Sequence, residues 1–120
     1  MPVNKIFTIG SLFLALGVGL GAFGAHGLKA ILIENNRVHT FETAVLYHFV
    51  HGIGLLIVGV ADIKKKKAIA LFFTIGIFCF SGSLYTLAIT NVNWLGAVAP
   101  VGGAAFILGW TLLSWQAYKT

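Results

Sequence analysis

Hydrophobic positions fall into four long runs, from Ile6 to Ala25, Phe41 to Ala61, Ala68 to Leu87 and Leu95 to Trp115. Each is close to the ~20 residues a helix needs to cross a ~30 Å hydrocarbon core, so the pattern predicts four transmembrane helices and no separate soluble domain. The first run begins just after Lys5. It exceeds the ~7–15 residues of a signal-peptide core and ends without an A-x-A site, so it reads as a span. Between the first two runs, His26 to Thr40 is too polar to cross and too apolar to be loose. Leu28, Ala30, Ile31, Leu32 and Ile33 predict a short interfacial helix on the outer surface. Asn35-Asn36 supplies the turn, and Asn36 is expected to cap the next helix.

Polar residues inside the runs carry the candidate chemistry. At helical spacing, Thr40, Thr43, Tyr47 and His51 form one stripe on the second span, with His48 beside it. Polar atoms on an apolar helix are costly unless hydrogen-bonded or facing a cavity. The third span contributes Ser81, Ser83 and Tyr85. In the fourth, Pro100 followed by Gly102-Gly103 predicts a kink. Counted at ~1.5 Å per residue, His51 lies near the midplane, the other polar groups gather in the outer half, and His26 caps the first span. An outward-open pocket lined by His26, Glu42, Thr43, Tyr47, His51, Ser81, Ser83 and Tyr85 is one expectation. The other is that His51 is satisfied by Tyr47, a serine hydroxyl or a backbone carbonyl.

Glycine supplies the packing signal. Gly19-x-Gly21-x-x-Gly24 matches a dinucleotide-binding string, but no strand precedes it. Gly10, Gly17, Gly21 and Gly24 share a helix face and predict close helix–helix approach, the partner being another helix of this chain or a second subunit.

Composition sharpens this picture. The chain is 58% hydrophobic and 9% charged, far below the roughly one quarter charged residues of a water-surrounded domain. Its net charge of +5 is not arranged with exposed aromatics as nucleic-acid binders arrange theirs, so anionic lipid is the expected partner. Lys64, Lys65, Lys66 and Lys67 form one basic run, read as a topology determinant and lipid-headgroup contact. With that run in the cytoplasm, both termini are cytoplasmic too, leaving Lys29 and Arg37 outside beside Glu34 and Glu42. Trp94 then fits the outer aromatic belt, and Trp115 and Tyr118 the inner one. Cys79 lies in an apolar run and is read as a small hydrophobe. His48 and His51 lack a Glu-x-x-His companion, so no metal is expected and no cofactor is implied. Glu34, Glu42 and Asp62 sit at span ends or in connections, too far to orient a base for Ser81 or Ser83, so no catalytic residue is assigned.

Four ordered motifs carry a resemblance: G-A-F-G-A-H-G at Gly21–Gly27, F-E-T-A-V-L-Y-H-F-V-H at Phe41–His51, F-S-G-S-L-Y at Phe80–Tyr85, and A-P-V-G-G at Ala99–Gly103 with Gly109-Trp110. Together they resemble the domain-of-unknown-function family 423, small bacterial inner-membrane proteins similar to transmembrane protein 256. The resemblance implies a multi-pass protein of the bacterial cytoplasmic membrane and supplies no activity. Phe41 departs from the Trp expected there, and the histidine-rich surroundings of His48 also depart, which ranks His48 below His51 and His26.

The chain is therefore expected to form an all-α, four-helix membrane bundle without enzymatic activity. Its expected role is a small scaffold or accessory subunit, packing through the glycine seam (Gly17, Gly21 and Gly24, with Pro100, Gly102 and Gly103 in the fourth span) into a homo-oligomer or larger membrane complex. The alternative is a carrier for a lipid, quinone or ion that uses the outer pocket.

Overall fold

A computed structural model describes residues 4–120, all of which lie in helices or short connections. The elements are α1 (Lys5–Ala25), α2 (Lys29–Glu34), α3 (Val38–Val60), α4 (Lys66–Gly76), a π-helical segment (Ile77–Gly82), α5 (Ser83–Thr90), a 3₁₀ turn (Asn93–Ala97) and α6 (Ala99–Lys119). Helix α4, the π segment and α5 run on as one 25-residue rod, so four rods are long and apolar enough to span a membrane. They form a flattened bundle of 49 × 30 × 16 Å. Helix α1 packs on α3, α6 packs on α4 and the π segment, and α3 touches the third rod along its length.

In lipid, burying a leucine gains little over leaving it among acyl chains, so close packing and interhelical hydrogen bonds must hold such helices together. The glycine seam supplies the packing, and its partner is α3 of the same chain. A methyl group on Gly10 would lie 2.9 Å from Leu55 Cβ and 3.0 Å from the Gly52 carbonyl oxygen, and one on Gly24 would collide with the Phe41 ring. Gly17 lies under Phe49 and His48. Gly21 is looser, with only Val45 at 3.8 Å. Between α3, the third rod and α6, Leu55, Val58, Ile69, Phe73, Ile77 and Phe106 form the main core, with Ile6 and Phe13 of α1 packed against it, and Leu32, Phe41 and Ala88 form a second cluster near α2.

The α2–α3 corner differs from expectation. Asn36 does not cap α3; it takes a left-handed conformation (φ 56°) and closes a Schellman turn, with Arg37 N bonded to Leu32 O at 2.8 Å and Asn36 N to Ile33 O at 3.0 Å. Arg37 stands at the cap position of α3 without a side-chain cap bond. This corner is stitched to the end of α5: Asn35 Nδ2 donates to the carbonyls of Ala88 and Ile89, and the Arg37 guanidinium donates to the side-chain oxygens of Asn91 and Asn93.

Pro100 also corrects an expectation. The apolar run from Leu95 predicts a helix interior at this position, but the chain winds as a 3₁₀ turn over Asn93–Ala97 and α6 begins only at Ala99. Pro100 thus lies in the first turn, where a missing N–H costs no intrahelical bond and no kink arises. The irregular backbone lies instead in the third rod, where Gly102 lets α6 approach the backbone of Cys79 and Phe80 in the π segment. Gly103 is less tightly placed, with Phe80 Cδ2 at 4.0 Å.

Candidate functional site: two buried histidines

His48 and His51 are one helical turn apart on α3, 1% and 5% exposed, and diverge toward different helices. His48 reaches back toward α1 and α5. Its Nε2 lies 2.7 Å from the Phe13 carbonyl oxygen and its Nδ1 lies 2.8 Å from the Tyr85 hydroxyl. Because a carbonyl only accepts, Nε2 carries the proton, and in a neutral ring Nδ1 then accepts from the Tyr85 hydroxyl. Gly17 lies beside this contact, where a β-carbon would stand 3.3 Å from the Phe49 ring and 3.4 Å from Nε2.

His51 turns the other way, toward α6. Its Nδ1 donates to the Tyr47 carbonyl one turn earlier (2.7 Å), and its Nε2 accepts from the Trp110 indole N–H (2.8 Å). The ring stacks on Phe106 with centroids 3.5 Å apart and planes 10° apart, and meets Phe73 edge-on. Gly109 allows the α6 backbone this close, because a β-carbon would lie 2.6 Å from the Phe73 ring. As neutral rings the two imidazoles hold opposite tautomers, and every ring nitrogen has a partner.

The remaining polar groups are used in the same way. Ser81 Oγ, fully buried, donates across to the Ala44 carbonyl at 2.8 Å. Ser83 Oγ donates to the Cys79 and Phe80 carbonyls of its own rod, at its junction with the π segment. Among the described residues, no buried side-chain nitrogen or oxygen lacks a partner.

The other candidates do not converge on this pair. His26 is exposed at the C-cap of α1 and lines a shallow recess of about 310 Å³ with Gly19, Ala22, Phe23 and Gly27. Glu42 is exposed on an apolar cleft of about 370 Å³ between α1 and α3. Thr43 is half-buried, and Tyr47 is 38% exposed, its ring edge-on to Phe80 at 4.6 Å. The structure thus joins Tyr47 to His51 through a backbone carbonyl, and joins Tyr85 to His48, the histidine ranked lowest from sequence. Phe13, Phe106 and Trp110 complete the site, and the polar pattern of the sequence does not mark them. For Trp110 the available signal is the conjunction Gly109-Trp110, a small residue beside the one indole donor in the middle of the fourth span.

Residues 20–103 match the family described as protein of unknown function (DUF423). The chain is 44% identical to a UPF0382 membrane protein of Staphylococcus haemolyticus, over 96% of this chain and 97% of the relative. It is 40% identical to the UPF0382 membrane protein YwdK of Bacillus subtilis, over 96% and 98%. It is 37% identical to a UPF0382 membrane protein of Haemophilus influenzae, over 98% and 96%. No solved structure matches.

Proposed function

The chain belongs to the DUF423 family of multi-pass bacterial membrane proteins, and from that premise we propose that it is a non-catalytic accessory subunit, a rigid bundle that docks on itself or on a larger membrane complex. The observation that carries this reading is the closed polar interior. The histidines, Ser81, Tyr85 and Trp110 are all spent on bonds that tie helices or hold their backbone, the construction expected of a fixed frame. The glycine seam lies inside the chain, so a partner would meet the outward faces instead. On α1 that face carries Leu12, Leu16, Val18 and Phe23, each more than half exposed.

Subunit counting by single-molecule photobleaching in native-membrane nanodiscs tests the proposal. A fixed oligomer, or a stoichiometric complex with one other membrane protein, is the expected result. Monomers at every expression level, with no stoichiometric companion, would overturn it.

A further inference from the structure

A further recess lies far from the buried histidines, at the end of the bundle that carries the lysine run. It is a lateral cleft of about 680 Å³ between the first turns of α1 and α4. Its walls are Ile6 and Ile9 on one side and Ala70, Leu71 and Thr74 on the other, and its rim carries Asn4, Lys5, Lys66 and Lys67. A groove that is mostly apolar along its length and cationic at one end matches a molecule with an acyl chain and an anionic head. We propose that this cleft is a binding site for an anionic phospholipid of the surrounding leaflet.

The rim is built rather than incidental. Asn4 Nδ2 and Lys66 Nζ both donate to the carbonyl oxygen of Gly59 at the end of α3, at 2.8 and 2.9 Å. Gly59 has no room for a side chain, since a β-carbon would lie 3.0 Å from Phe7 N. These bonds fix the spacing of α1 and α4 and keep the cleft open. They anchor Lys66, while Lys5 and Lys67 stand beside it on the rim with no side-chain partner among the described residues, placed to meet a phosphate. No acidic residue stands in the first turn of either helix to neutralise them. A zwitterionic lipid would bring its own cation to this rim, so charge selects the anionic class.

The test uses the full-length protein extracted in mild detergent and exchanged with phosphatidylglycerol or phosphatidylcholine, with retained lipid counted by native mass spectrometry. The wild type should keep phosphatidylglycerol in preference to phosphatidylcholine. Lys5→Gln with Lys67→Gln should weaken that retention by roughly tenfold, taking about 1 kcal/mol per lysine and discounting for screening. Lys64→Gln with Lys65→Gln removes the same charge from outside the cleft and should change it less than about twofold, the residue of a screened long-range attraction. Leu71→Trp, which fills the cleft and leaves every lysine in place, should also abolish the preference. Equal losses from the two lysine pairs would mean that charge acts only diffusely. That result, or undiminished retention in either the Lys5/Lys67 pair or Leu71→Trp, would overturn the site.

Discussion

Replacing Tyr85 with Phe removes a single oxygen atom, the one 2.8 Å from His48 Nδ1, and leaves the ring that packs on Phe41 in place. His48 is 1% exposed, so no water can take over the lost bond. In a soluble protein, a stranded buried acceptor costs about 1–3 kcal/mol. Within a membrane the unfolded helices also find partners, and measured interhelical couplings average ~0.6 and reach ~1.7 kcal/mol. Full burial and good geometry place this bond in the upper half of that range, so Tyr85→Phe should destabilise the bundle by about 1–1.5 kcal/mol. Unfolding by dodecyl sulfate titration in mixed micelles, followed by circular dichroism, reads the value. A cycle with His48→Phe isolates the pair, because the separate loss of the Phe13 contact cancels. A coupling energy below ~0.3 kcal/mol would refute the reasoning, since that is the additivity expected of independent sites.

The glycines should split by position. Gly10→Leu, which meets the Leu55 side chain and the Gly52 backbone, should cost about 1–3 kcal/mol in the same titration, whereas Gly19→Leu, with nothing within 4 Å, should fall within ~0.5 kcal/mol of wild type. Pro100→Ala should be nearly neutral, within ~0.5 kcal/mol, because the ring sits in the first turn of α6; a loss above ~2 kcal/mol would point to an interior role. In a Cys79→Ser background, a cysteine at Lys64 should be labelled by an impermeant maleimide in inverted vesicles and one at Asn93 in spheroplasts; the reverse pattern would overturn cytoplasmic termini.

The four spans are legible because membrane thickness imposes a length that hydropathy records directly, and the short helix α2 between the first two is legible from its mixed character. Hydropathy misplaces Pro100 because it does not distinguish a 3₁₀ turn from the α-helix it leads into: Leu95 to Val98 is as apolar as the first turns of α6. The α1 glycines announced close approach, but a small-residue face does not say whether its partner is in the same chain. At the site, the histidines were visible and their partners were not. Two of the acceptors are the backbone carbonyls of Phe13 and Tyr47, which any residue type presents. The sequence ranks His48 too low for a related reason. Which side of α3 meets α5 depends on packing, and only that packing brings Tyr85 within reach of His48.

The tautomers of the two histidines test most directly the claim that the site is a closed tie between helices. Histidine-selective nitrogen NMR of the protein in bilayers distinguishes protonated from bare ring nitrogens. The geometry predicts Nε2–H with bare Nδ1 for His48, and Nδ1–H with bare Nε2 for His51, both static at neutral pH. Identical tautomers, a doubly protonated ring or rapid exchange between forms at either residue would contradict it.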